Sequence, residues 1–215
     1  MPGGAFFGAI AATLVVQLAG TQSHRSSTGA LLLVGIALNS FLGALIAAMI
    51  ANAPNAEDAR SAMFWLNGDL TGRTMRDVAL AILPILIGTA GVLLHARELN
   101  MLSLGEATAQ TSGVAVARAS HTVLAFAALA TAGAVATTGA ISFVGLVVPH
   151  LVRLVVGANH MTLLPDSAIF GASFLIVADT AARMAFQPVS LQTGVITSLI
   201  GAHFLLFLVL RLRSD

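Results

Sequence analysis

The sequence predicts an all-α integral membrane protein, a polytopic helix bundle of about seven spans. Three observations carry that prediction. Of 215 residues, 57% are hydrophobic and only 9% charged, against roughly 25% charged in a soluble domain. The apolar runs are long, rich in Ala, Leu, Val and Gly, and lack the strict alternation of outer-membrane barrel strands. Backbone inside lipid must also satisfy its own hydrogen bonds, which a helix does within one segment.

About 20 apolar residues cross a bilayer core as helix, and the elements follow on that basis. The opening "MPGGAFFGAIAATLVVQLAG" has no basic residue ahead of its apolar run, unlike a secretory signal, and is read as a first span over 5–20. The polar turn "TQSHRSSTG" leads to a second span over 29–52. The next segment, "ANAPNAEDARSAMFWLNGDLTGRTMRD", holds Trp65 flanked by Met63, Phe64 and Leu66, and predicts an aromatic helix lying at the membrane surface. A third span covers 78–95. Small residues Gly35, Ala37, Gly43 and Ala47 in the second span, with Gly88 and Gly91 in the third, are expected to let helices pack closely.

Residues 97–118 break the apolar pattern. Glu98 and Glu106 alternate with Leu99, Met101, Leu102 and Leu104, and Gly105 and Gly113 punctuate the run. One or two short helices packed on the bundle and facing a soluble partner fit this segment; spacing alone leaves a plain connector equally open. A fourth span over 119–138 and a fifth over 141–156 follow, the fifth carrying Pro149, His150 and Arg153. A sixth, over 166–186, puts Asp179 and Arg183 four residues apart, where they can pair and offset part of the penalty for charge at membrane depth. The seventh covers 191–210. With seven spans the termini lie on opposite sides. A cytoplasmic "RLRSD" puts six arginines inside and four outside, favouring a cytoplasmic C-terminus.

Composition also excludes functions. All ten basic residues are arginine, so no phosphate-cradling loop of the form G-x-x-x-x-G-K-[ST] exists, and any ATP must be bound by another chain. Scattered arginines and a net charge of +1 give no nucleic-acid footprint. No H-E-x-x-H or G-x-S-x-G occurs, and Asp179 has no second intramembrane carboxylate, so no catalytic residues are assigned. His150 and His160 stand ten residues apart without a carboxylate at ligand spacing, so no metal site is assigned. An ion-coupled secondary carrier without an ATPase partner is the alternative, disfavoured by few intramembrane acids and no half-to-half similarity.

Several motifs in order give a resemblance. "RSSTGALLLVGIALNS", "FWLNGDLTG", "NMLSLGEATAQTSGV", "GAISFVGLVVPHLVRLVVGANHMTLLP", "GASFLIVADTAAR" and "TGVITSLIGAHF" together resemble the permease subunits of bacterial ABC importers for iron-siderophores, haem and cobalamin, the FecCD family. The resemblance implies one transmembrane permease domain over 1–215, the C-terminal part of a ten-helix type II importer permease, with about three family spans preceding it. It implies a second permease copy, identical or related, in the bacterial inner membrane. Two ATPase subunits carrying ATP and Mg, and a periplasmic or lipoprotein solute-binding protein, would complete the assembly.

The same resemblance assigns residues. Within the cytoplasmic coupling segment 97–118, Leu104, Gly105, Glu106, Ala109 and Gly113 match the part that meets the ATPase. Arg183 matches an arginine that docks to a glutamate of the binding protein. Gly145, Pro149, His150 and Arg153 match a short helix with a structural or gating role. The chain departs from the family at Gln110 and Ser112, where a basic and an apolar residue are usual. It departs again at Ser190, where glutamate is common, and at Gln192 and His203, where prolines are common. His203 is expected to be satisfied within the bundle.

Overall fold

The computed structural model describes residues 2–21, 28–185 and 190–212, with side chains for 3–16, 33–185, 190–208 and 210. The polar segment 22–27, Arg213 and the side chain of Arg211 fall outside these, so the expected side of the C-terminus is carried by sequence alone. The described residues form ten helices joined by turns, with no strand among them.

Seven of the ten are the apolar helices expected from hydropathy: α1 (Pro2–Thr21), α2 (Thr28–Ala51), α4 (Met75–Leu94), α7 (Val116–Thr138), α8 (Val144–Val156), α9 (His160–Met184) and α10 (Thr193–Leu212). Among described residues, four stretches are long and apolar enough to cross a membrane: Leu33–Ala51, Met75–Leu94, Val116–Thr138 and His160–Met184. The chain is a multi-pass membrane protein. Three short helices, α3 (Ala56–Asn67), α5 (Ala96–Leu102) and α6 (Glu106–Thr111), lie between the longer ones.

Local chemistry sets the ends. α3 starts where the Asn55 side chain accepts from Asp58 N at 2.8 Å. α4 starts at a capping box: Asp77 Oδ2 accepts from Thr74 N at 2.9 Å and from Thr74 Oγ1 at 2.8 Å. α9 begins at His160, six residues before the apolar run suggested, because the Asn159 side chain caps a polar first turn.

Packing gives two groups. In the first, α7 is flanked by α4 and by α1, and α2 leans on α1; in the second, α8 and α10 pack on α9. The α4–α7 contact is close because Gly91 lies against the Phe126 ring and a Cβ at Gly88 would come within 2.5 Å of the Phe126 carbonyl. These two glycines act as expected. Gly35 and Gly43 do not: among the described residues no atom beyond the neighbouring residues and the helix's own backbone lies within 4 Å of where their Cβ would stand, and Ala37 and Ala47 are exposed. Among the described residues α2 packs mainly on α1 and, less, on α3, and its glycines close no tight contact there.

Candidate functional site

Connectivity gives the bundle two distinct ends. α4, α7 and α9 each run between a terminus beside α5 and α6 and a terminus beside α3.

At the first end the expected coupling segment is helical, as two short pieces. α6 is held between Gly105 at φ 106° and Gly113 at φ 85°, a backbone region that L side chains rarely adopt. Its end is a Schellman motif: Val114 N donates to Ala109 O and Gly113 N to Gln110 O, both at 3.0 Å. This places the predicted residues in two roles. Ala109 is fully buried on the bundle side, while Leu104 and Glu106 are exposed. Gln110 and Ser112, the departures, are exposed too. Behind α6 a polar cavity of about 280 Å³ is lined by His95, Glu98, Gly113 and Arg118.

The same end holds a cluster that hydropathy does not show. Asn100 Nδ2 on α5 donates to Asn159 Oδ1 at 2.9 Å. Its Oδ1 accepts from His160 N and from His160 Nδ1, each at 2.8 Å. Asn159 Oδ1 also accepts from Met161 N at 3.0 Å. The N-cap of α9 is thus shared with α5. His160, weighed on sequence only as a metal ligand, is a hydrogen-bond partner here.

At the second end, three helix termini are tied by backbone bonds. Ala140 N donates to Trp65 O at 3.2 Å, Asp69 N to Thr138 O at 2.8 Å, and Gly194 N to Gly68 O at 3.1 Å. A Cβ at Gly194 would overlap the Asn67 carbonyl. α3 exposes Met63, Phe64 and Leu66 while Trp65 is half-buried, consistent with a surface helix.

The polar side chains of this end form a chain. Arg183 Nη2 meets Asp179 Oδ2 at 2.7 Å, the pair expected from their spacing. Asp179 Oδ1 accepts from Thr193 Oγ1 at 2.8 Å. Thr193, fully buried, also lies 3.4 Å from Asp69 Oδ1 and accepts from Leu70 N at 3.4 Å. A hydroxyl has one hydrogen to give, and the shorter contact directs it to Asp179. The side chain of Arg183 is 48% exposed and that of Asp179 only 17%, so the acid is the fixed member and the guanidinium the accessible one.

α8 is 13 residues long, about 20 Å at the usual rise, shorter than a bilayer core. Val147, Val148 and Val152 are buried, the last two in a cluster with Leu163 of α9. Pro149 and His150 are half-buried, with the His150 ring edge-on to Phe204 of α10 at 5.7 Å between centroids. Gly145 and Arg153 are exposed. His203 finds its partner on its own helix, Nδ1 lying 2.8 Å from Leu199 O, while the side chain is exposed on this chain. It falls on the α10 face with Leu199, Leu206 and Phe207, whose side chains are also largely exposed.

Comparison with known proteins adds the last observation. The FecCD transport family profile matches residues 1–211. The chain is 45% identical over 206 residues to the cobalamin import system permease protein of Halobacterium salinarum, covering 95% of this chain and 54% of that protein. It is 37% identical over 213 residues to the hemin transport system permease protein of Yersinia pestis, covering 99% and 63%. It is 37% identical over 209 residues to the Fe(3+) dicitrate transport system permease protein of Escherichia coli K12, covering 97% and 64%. A solved structure described as an inward-facing conformation of a transporter assigned to the metal-chelate ABC type superposes with a TM-score of 0.82 at 30% identity, covering 95% of this chain and 64% of that one. The chain therefore spans between about half and two thirds of the length of these relatives.

Proposed function

Since the chain belongs to the FecCD transport family, we propose that it acts as the membrane-spanning permease subunit of an ATP-binding-cassette importer. It would perform no bond chemistry. The cargo class is an iron-siderophore or related metal chelate, haem and cobalamin included, as in its relatives' names. ATP and Mg belong to a partner ATPase at the α5–α6 end, and a periplasmic or lipoprotein solute-binding protein docks at the α3 end. A second permease copy, identical or related, completes the path. The membrane is the bacterial inner membrane, with the C-terminus on the cytoplasmic side.

The observation that carries this reading is the build of α6. A six-residue helix is fixed between two positive-φ glycines, buries Ala109 and exposes Leu104 and Glu106. A rigid knob of that kind passes a partner's movement on as rigid-body tilt, where a solvated connector would absorb it. Arg183, half-exposed and aligned by Asp179, suits a carboxylate on a docking partner.

Co-purification tests the reading. The chain is expressed with the ATPase subunit of its own transporter and solubilised. The two should emerge together, and both Glu106→Arg and Gly105→Pro should abolish association. Retention with both variants would show that the partner binds elsewhere.

A further inference from the structure

The two ends of the bundle are joined by α9, and the joint at its α5 end is more specific than packing requires. Asn100 uses both halves of its carboxamide there. Nδ2 donates to Asn159, and Oδ1 accepts from the His160 backbone and ring. The backbone N–H of His160 is one of the first-turn donors that no helix satisfies internally. α6 packs on α5 and α7, and α5 packs on α9. A displacement of α6 can thus reach α9 through α5, with this side chain as the hydrogen-bonded joint between them. From His160, α9 runs as one helix to Asp179, with Pro165 removing one backbone hydrogen bond near its start, a length of about 28 Å at 1.5 Å per residue. There Asp179 holds Arg183 and, through Thr193, the start of α10.

We propose that Asn100 is the positioning residue that locks the coupling segment to α9, making α9 the rod along which ATPase closure and binding-protein docking influence each other. The inference rests on the permease reading above and adds the path within the chain. Coupling between separated sites needs a physical connection that both ends can bias. The Asn100 clamp and the Asp179–Thr193 contact supply the two attachments.

The test uses the assembled transporter in proteoliposomes: permease, ATPase subunit and liganded binding protein. Basal ATP hydrolysis and its stimulation by the binding protein are measured for wild type, Asn100→Ala, Asn159→Ala, the double variant and Asn100→Asp. Asn100→Ala should retain the ATPase and basal hydrolysis and lose stimulation by about tenfold, within the range for residues along a coupling path. The double variant should lose less than the two single losses summed, because each single variant already removes the bond that Asn100 and Asn159 share. Asn100→Asp keeps an acceptor for His160 but cannot donate to Asn159, and should fall between. Wild-type stimulation in Asn100→Ala, or a proportional fall in basal and stimulated rates, would overturn the inference. Should Asn100→Ala fail to assemble, wild-type stimulation in Asn100→Asp would overturn it. Failure of the wild-type chain to retain the ATPase would instead overturn the permease reading, and this inference with it.

Discussion

Thr193 and Asp179, fourteen residues apart in sequence, meet at 2.8 Å where α9 ends and α10 begins. The hydroxyl is fully buried and is the donor nearest that carboxylate oxygen. Thr193→Val keeps the shape and removes the donor, leaving Asp179 Oδ1 without this partner. Stability should fall by about 1–3 kcal/mol, read as thermal unfolding in detergent. Thr193→Ser should recover most of it. An unchanged midpoint for Thr193→Val would mean that water replaces the hydroxyl.

Gly194→Ala should be the more damaging of two chemically identical changes. A methyl there overlaps the Asn67 carbonyl, and neighbouring backbone is pinned by the Gly194 N to Gly68 O bond of 3.1 Å. Overpacking against backbone typically costs about 1–3 kcal/mol. Gly43→Ala meets no described atom within 4 Å beyond its neighbours and its own helix's backbone and should leave the unfolding midpoint of the single chain where it is. Equal losses at both sites would contradict the packing described.

Gly113→Ala probes conformation rather than space. Beyond the two neighbouring residues no described atom lies within 4 Å of the added methyl, yet φ is 85°. Holding a non-glycine residue there costs about 1–2 kcal/mol, and the local remedy is to unwind the end of α6. Global stability should change little, while retention of the ATPase at rising salt should weaken. Retention equal to wild type would show that the Schellman turn does not determine how α6 is presented.

These three sites show where sequence reading succeeds and where it stops. Hydropathy located all seven apolar helices, since each is long and continuous in lipid-like residues. Gly105 and Gly113 were legible as breaks because glycine among helix formers has a local meaning. Asp179 and Arg183 were legible because a four-residue spacing puts them on one helix face. Asn100 and His160 are sixty residues apart, and Asp69 and Thr193 one hundred and twenty-four; no local period reports such meetings. Gly43 and Gly91 look alike in sequence and differ only in what the fold brings near them. The exposure of His203 was not legible for the same reason, as its side of α10 is decided by which helices pack there.

Arg183→Glu tests the rim. The substitution sets two carboxylates four residues apart, where like charges repel, and reverses the charge offered to a docking partner. The native pair is partly exposed, so its own contribution to stability is small, about 0–1 kcal/mol. Binding-protein affinity, measured on immobilised transporter, should drop at least about tenfold, given roughly 2–5 kcal/mol for losing one member of a desolvated charge pair at an interface. A lysine placed at the facing glutamate of the binding protein should restore part of it. Unchanged affinity would remove Arg183 from the docking surface.

His150 allows its anchoring and gating readings to be separated. Its ring lies edge-on to Phe204 at 5.7 Å, joining α8 to α10, and aromatic pairs of this geometry contribute about 0.5–1.5 kcal/mol beyond their area. His150→Phe keeps a ring of similar size with no titratable nitrogen, whereas His150→Ala removes the contact. If His150 anchors a half-length helix, the phenylalanine variant keeps both thermal stability and uptake of a radiolabelled chelate, and the alanine variant loses both. If the imidazole itself acts during gating, the phenylalanine variant stays folded and uptake fails. The half-burial of the ring and its place between two helices favour the first outcome, because a side chain wedged there is set by shape before it is used for its proton.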